Sequence, residues 1–453
     1  MYIVIFGASK LSAHIAAILS QEAHGVFMID SDQSKLDKIA SELDISTISD
    51  NESSWHILDK LKEIKPDAVL ALTKNEEKNL TLCKIAKSLD YPTTIALLND
   101  ESYLHASKLN FNEIFSVDHF ICPSLLVSQE IFKYIVTPRS AGAENFAHGA
   151  IHMHTMQVPP TWKNEHAFLH ELNLPKGLMV GLIRRLDENV SLYDRKVIFP
   201  HGKDRLLASD EVTFIGKPDA INGLPDFFQT PFKPVKSVVL IGGSVTAVNL
   251  AKLLNKRKIR TTIIEKDFKK CEHLSSILPE STIMNADGCN SQFMLIEQMG
   301  EMDVIVACTF HDEINILACS IGKNLGCEKS IATIADVSFS NILEQVHVDH
   351  HISPREAMAN RILSILQRQK IIAVSSLYEN RAKIMELKVS NSSPLAGIPI
   401  FELGSYLPND FLFAAIQNRG RIMIADGNKV LCPGDTVIIV THPRHYNALQ
   451  KLF

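Results

Sequence analysis

The sequence predicts an α/β protein built as a tandem duplication: two copies of a doubly wound parallel-sheet unit, each followed by a small α/β module. Three observations carry this. Landmarks in the first half of the 453-residue chain return in the second at nearly constant spacing. Each copy alternates short strands that are apolar throughout with amphipathic helical stretches. Each copy opens with an apolar strand that runs into a glycine turn.

The repeat is read from residues. Gly242 follows Gly7 by 235 positions, and Glu265 follows Asp30 by 235. Ala307-Cys308-Thr309 with Glu313 and Asn315 answers Ala71-Leu72-Thr73 with Glu77 and Asn79 at an offset of 236. Val348-Asp349-His350 with Pro354 answers Val117-Asp118-His119 with Pro123 at 231. Insertions and deletions between the copies are therefore few, and a common fold follows.

In chain order, strands are expected near Ile3–Phe6, Val26–Ile29, Ala68–Leu72 and Thr94–Leu98, with a weaker one near Ile45–Ile48. Strands without a polar alternation are covered on both faces, and helical crossovers then make the sheet parallel. The first helix carries Leu11, Ile15, Ile18 and Leu19 on one face; its counterpart carries Ala247, Leu250, Ala251 and Leu254. Helices are expected again over Ser124–Val136 and Arg355–Gln369. Shorter strands follow, closing with Ser209–Ile215 in one module and Pro433–Val440 in the other. The stretch Pro218–Pro234, with Pro225 and Pro231, is expected to be an irregular linker. The resulting domains are 1–136, 137–220, 235–370 and 371–453.

Composition excludes several function classes. A hydrophobic content of 46% is enough for buried cores, and a net charge of −5 argues against a nucleic-acid partner. The densest basic patch, Lys256-Arg257-Lys258 with Arg260, follows a helical pattern, where cations oppose the negative dipole end. The eight cysteines contain no Cys-x-x-Cys pair, so neither a redox couple nor a thiolate zinc site is indicated. The N-terminus reads as a strand rather than a signal peptide, and no apolar run approaches the ~18–20 residues that span a bilayer. A soluble cytosolic protein is expected, connected to any membrane through a partner.

The glycine turns carry the chemistry. A Rossmann-type site needs close backbone approach to a pyrophosphate, a helix N-terminus aimed at it, and an acid for the ribose hydroxyls. The first turn runs Gly7, Ala8, Ser9, Lys10, Leu11 and Ser12; the second runs Gly242, Gly243, Ser244, Val245, Thr246 and Ala247. Both keep the first glycine and put serine at the second glycine position of the fingerprint. That serine either crowds the phosphate or donates its hydroxyl to it. Asp30 and Glu265 each stand 23 residues beyond the first glycine, where the ribose acid belongs. Thr73, Lys74 and Thr309 stand at the ends of the fourth strands, at the mouth of the crevice. His347, His350 and His351, and His148, His152 and His154, are read as ordinary polar histidines rather than metal ligands, and no catalytic motif is present.

Over nearly its whole length the sequence resembles the TrkA family of potassium-uptake regulatory proteins. The resemblance is carried by Ile5-Phe6-Gly7-Ala8, Ile29-Asp30, Ala71-Leu72-Thr73 with Asn79, Val117-Asp118-His119 with Pro123, Asn145-Phe146, Ile241-Gly242-Gly243, Asp287-Gly288, Asp312-Glu313-Ile314-Asn315, Ile352-Ser353-Pro354 and Gly434-Asp435. It implies two regulator-of-potassium-conductance units, each a Rossmann-like TrkA-N domain followed by a small TrkA-C domain. It implies a non-enzymatic regulatory subunit on the cytosolic face of the inner membrane, assembled as a symmetric homo-oligomer. The partner would be a TrkH- or TrkG-type potassium-translocating subunit. The regulatory ligand would be NAD(H) or an adenine nucleotide (ATP or ADP), held by Gly7 to Leu11, Asp30, Thr73 and Lys74 in one copy and by Gly242 to Thr246, Glu265 and Thr309 in the other. The arginine that such proteins often carry after the fifth strand is not present after Ile95-Ala96 or after Ile334-Ala335. Two rival readings are a constitutive scaffold with decayed nucleotide sites and an NAD-dependent oxidoreductase.

Overall fold

A computed structural model describes residues 1–21, 24–50, 55–104, 109–136, 145–146, 150–186, 195–229, 234–343, 345–366, 371–377, 381–405, 407–418, 421–445, 448–449 and 452–453.

The first copy runs β1 (Tyr2–Phe6), α1 (Lys10–Gln21), β2 (Gly25–Asp30), α2 (Gln33–Glu42), β3 (Ser46–Ser49), α3 (Trp55–Leu61), β4 (Ala68–Ala71), α4 (Glu76–Ser88), β5 (Thr93–Leu97), α5 (Phe111–Phe115), β6 (His119–Ile121) and α6 (Pro123–Val136). Its sheet is parallel in the order β3-β2-β1-β4-β5-β6. The two-residue period of the strands divides the core between the faces. Ile3, Ile5, Met28 and Leu70 join one cluster with Leu11, Ile15 and Leu19 of α1. Val4, Phe6, Ile29 and Val69 join the other with Leu80, Cys83 and Ala86 of α4. Both faces are therefore covered, as the uninterrupted apolar strands require.

The first small module contains β7 (Asn145–Phe146), β8 (Ile151–Gln157), β9 (Leu178–Leu186), β10 (Arg195–Ile198) and β11 (Glu211–Gly216), then α7 (Pro218–Asn222) and α8 (Leu224–Phe227). The last two lie in the stretch expected to be an irregular linker, and that expectation is corrected over 218–229. Pro218 and Pro225 stand in the first turns of these helices, where no backbone donor is missed. Ala220, Ile221, Leu224 and Phe228 are buried in the module's own core beside Val212 and Phe214. Pro231 lies outside the described residues.

The second copy repeats the first as β12 (Ser237–Ile241), α9 (Val245–Lys256), β13 (Arg260–Glu265), α10 (Phe268–Ile277), β14 (Thr282–Asn285), α11 (Ser291–Ile296), β15 (Val304–Ala307), α12 (Asp312–Leu325), β16 (Lys329–Thr333), α13 (Ser340–Leu343), β17 (His350–Ile352) and α14 (Pro354–Leu366). Its sheet order, β14-β13-β12-β15-β16-β17, matches that of the first copy strand for strand. The helix expected over Arg355–Gln369 is seen over Pro354–Leu366, and 367–369 lie outside the described residues. The second module holds β18 (Ile371–Leu377), β19 (Ala382–Lys388), β20 (Phe411–Asn418), β21 (Arg421–Ile424) and β22 (Thr436–Thr441). The two modules have antiparallel five-stranded sheets with the same connectivity: β10-β9-β11-β8-β7 and, read from the other edge, β21-β20-β22-β19-β18.

The chain groups like with like. One compact unit joins Met1–Ile131 with Ser237–Leu366, and the other joins Phe132–Lys236 with Gln367–Phe453. In the first unit α14 of the second copy buries Met358, Ile362, Leu363 and Leu366 against the α1 face of the first. Asn249 of α9 donates to the Glu101 carboxylate of the first copy, which also accepts from Ser124 Oγ. In the second unit the two sheets share a core of Ile151, Met153, Leu182 and Ile215 with Ile384, Ala415, Ile438 and Val440.

Candidate functional site

In each copy the chain leaves the first strand towards one side of the sheet and the fourth strand towards the other. The crevice between β1 and β4, and that between β12 and β15, are thus topological switch points, where ligands enter open α/β sheets. The glycine turns stand on one wall of each crevice and the threonine loops on the other.

Gly7 has φ +98° and Gly242 has φ +94°, a region that disfavours residues with a Cβ. Their N–H groups donate to Ile29 O at 2.8 Å and Ile264 O at 2.9 Å, which ties the turn to the neighbouring strand. A Cβ on Gly7 would stand 2.9 Å from Leu72 O, so the loop lies close against the far wall. The serines have a role that the sequence reading did not anticipate. Ser9 Oγ accepts from Ser12 N–H at 3.1 Å and lies 3.0 Å from Ser12 Oγ. Ser244 Oγ accepts from Ala247 N–H at 3.3 Å as the N-cap of α9, and donates to Cys308 O at 2.7 Å. Each hydroxyl occupies a helix-capping position, worth about 1 kcal/mol. The remaining first-turn N–H groups leave the helix end electropositive.

The acids stand at the ends of the second strands. Asp30 is buried; its Oδ2 accepts from Ala8 N–H at 2.6 Å and its Oδ1 from Asp32 N–H at 2.8 Å. Glu265 does the same: Oε2 accepts from Gly243 N–H at 2.7 Å and Oε1 from Asp267 N–H at 2.8 Å. Each carboxylate therefore spans from the glycine turn to the loop after the second strand. This is the edge on which a ribose would be held.

Thr73 and Thr309 lie two residues past β4 and β15. Thr73 N–H and Oγ1 both donate to Asn79 Oδ1, at 3.0 and 2.7 Å, and Asn79 Nδ2 donates to Thr73 O and Leu97 O. Thr309 and Asn315 repeat these bonds at 2.9 and 2.7 Å, with Asn315 Nδ2 reaching Thr309 O and Thr333 O. Both asparagines are fully buried and fix the crevice wall to the fifth strand. The loop after that strand, where the resemblance implied an arginine, is braced by an acid. Glu76 accepts from Asn99 and Asp100 N–H, and Asp312 accepts from Ala335 and Asp336 N–H. The signal was in the sequence: both acids open their helix, at the same offset of 236 as Asn79 and Asn315.

Other candidates fall away from the crevices. His350 is half-buried in β17, and the desolvation there, with the charge of His351, pushes its imidazole down to about 3. Neutral and set on the sixth strand, it stands away from the glycine turns. His148 lies outside the described residues. Among the described residues, no group of three His, Cys, Asp or Glu side chains is placed to hold a metal ion. The thiols of Cys308 and Cys319 are pushed up by burial, to about 12 and above that, so they are not nucleophiles.

Comparison with known proteins agrees with this arrangement. The TrkA-N domain matches residues 3–123 and 238–354, which enclose both crevices, and the TrkA-C domain matches residues 384–453. The Trk system potassium uptake protein TrkA homolog 1 of Methanosarcina mazei is 28% identical over 461 aligned residues, covering 100% of both chains. The Trk system potassium uptake protein TrkA of Haemophilus influenzae is 26% identical, covering 100% of this chain and 98% of its own. Among solved structures, the GsuK RCK domain superposes with a TM-score of 0.61 at 14% identity over 100% of this chain and 94% of its own. The GsuK channel bound to NAD superposes with a TM-score of 0.62 at 13% identity over 100% of this chain and 78% of its own, so the fold is shared. With both crevice-bearing units matched to TrkA-N, the terminal module matched to TrkA-C and relatives alike from end to end, the chain belongs to the TrkA family.

Proposed function

We propose that this chain is the nucleotide-binding regulatory subunit of a Trk-type potassium-uptake system, and that it has no catalytic role of its own. The observation that carries the reading is the duplicated crevice. Each copy sets a positive-φ glycine, a capped helix N-terminus and a strand-end acid around one switch point, in a chain of the TrkA family. The ligand is NAD(H) or an adenine nucleotide, and a crevice that takes it would hold the phosphates at its helix N-terminus, α1 or α9, and the ribose hydroxyls at its strand-end acid, Asp30 or Glu265. Among the described residues no helix is long and apolar enough to cross a membrane. Likeness to Trk-system proteins along the whole chain supports a peripheral homo-oligomer on the cytosolic face of the inner membrane, docked on a TrkH- or TrkG-type subunit. Nucleotide would shift the ring between shapes that the partner distinguishes, to the extent that it binds one shape more tightly.

A constitutive scaffold is the second reading. It is favoured by the acids and serines already being satisfied by the chain's own backbone. Calorimetric titration with NADH, NAD and ATP separates the two. Saturable binding that an Asp30→Asn, Glu265→Gln variant weakens about tenfold supports the nucleotide reading. No heat with any of the three favours the scaffold.

A further inference from the structure

The two crevices are alike in backbone and unlike in charge. Lys10 is the first residue of α1 and Lys74 follows Thr73, so the two lysines flank the first crevice from opposite walls. Both are exposed. In the second copy the same two positions of the repeat hold Val245 and Phe310, which are 50% and 85% exposed. Large apolar side chains at that exposure replace cations where a pyrophosphate would lie. The second crevice is also bridged: Ser244 Oγ donates across it to Cys308 O at 2.7 Å, whereas Ser9 Oγ bonds within its own helix turn.

From this asymmetry we infer that the first crevice alone takes a phosphate-bearing nucleotide, one per chain, and that Lys10 and Lys74 are the residues that set this preference. The inference rests on the nucleotide reading above and assigns it to one copy. Two ammonium groups match the two negative charges of a pyrophosphate, and charge-assisted contacts are the stronger ones. At the two matching positions the second crevice has no cation, so its charge toward a phosphate is that of the helix end, which solvent and salt screen. Its nearby cation, Lys266, stands beside Glu265 at the ribose edge and is paired with Asp287 at 3.3 Å. Lys10 also contributes to the field at Asp336, whose carboxyl is lowered first by donors on Ser338 and then by Lys10 and Arg355. Asp336 is exposed, so this influence on Lys10 is screened by solvent.

The test is calorimetric titration of the full chain with NADH and with ADP. The parent should bind one equivalent. A Lys10→Gln, Lys74→Gln variant, changed only at exposed positions, should bind at least about tenfold more weakly and with a flatter salt dependence. A Val245→Lys, Phe310→Lys variant should gain a second equivalent. Two equal equivalents in the parent would overturn the division between the copies, as would unchanged affinity in the lysine-less variant or a grafted chain that stays at one equivalent. A parent that binds neither compound would overturn the nucleotide reading itself, and this inference with it.

Discussion

Replacing Asn315 with alanine should destabilise the second copy by about 3–5 kcal/mol, the largest loss expected from any single exposed-to-solvent-free position in the crevice walls. The side chain is fully buried, accepts two hydrogen bonds from Thr309 and donates to two backbone carbonyls. Alanine leaves the half-buried Thr309 N–H and two carbonyls, that of Thr333 buried, without their partner, and each buried group so orphaned costs about 1–3 kcal/mol. It also opens a small void. Asn315→Asp should fall short of rescue: it keeps the acceptor for Thr309 and loses the donors to Thr309 O and Thr333 O, while adding a charge to a dry site. Urea unfolding reads the effect, and Asn79→Ala should repeat it in the first copy. Unchanged midpoints in both alanine variants would mean that these networks do not hold the walls.

Gly7→Ala should cost about 3 kcal/mol and abolish nucleotide binding in the first copy. Two terms add. At φ +98° a Cβ is strained whatever the space, and it would meet Leu72 O at 2.9 Å and Leu72 C and Thr73 Cα at 3.1 Å, all backbone. Relief needs the β1–β4 pair to part. Gly242→Ala should cost a comparable amount: its φ of +94° carries the same strain, and only the steric partner differs. Its nearest neighbour is Thr309 Cγ2 at 2.7 Å, a side chain that cannot rotate away without breaking its bond to Asn315. Gly243→Ala provides the contrast. Its φ is ordinary, its Cβ would meet the end of Leu274 at 2.5 Å, and Ala8 already holds that place in the first copy. About 1 kcal/mol or less is expected there, read from the same unfolding curves. Equal losses at all three positions would contradict the steric account.

Much of the fold was legible because it was written twice. Strands apolar on both faces, and a constant offset between Gly7 and Gly242 and between Asp30 and Glu265, specify a repeated parallel sheet whose loops are fixed in length. What escaped was set by partners distant in sequence. The apolar stripe of α14 reads as a helix, but nothing in its spacing says that Ile362 and Leu366 bury against α1 of the other copy. The prolines at 218 and 225 read as breakers, and only their place in a first helical turn shows that they start helices. At the crevices, the fingerprint position of Ser9 and Ser244 points to a phosphate, although a serine directly ahead of an amphipathic run is also a capping signal. Asn79 and Asn315 stand out in the sequence as repeat landmarks. Their bonds to the threonines and to the fifth strands depend on tertiary placement that no local pattern encodes.

The most direct measurement of the regulatory reading is potassium flux into vesicles that hold a TrkH-type subunit, with this chain added on the cytosolic side and NADH or ATP supplied or withheld. A nucleotide-dependent change in flux that requires the chain, and that disappears in the Asp30→Asn, Glu265→Gln variant, is the predicted result. Flux that depends on the chain and is the same with and without nucleotide would contradict regulation through the crevices.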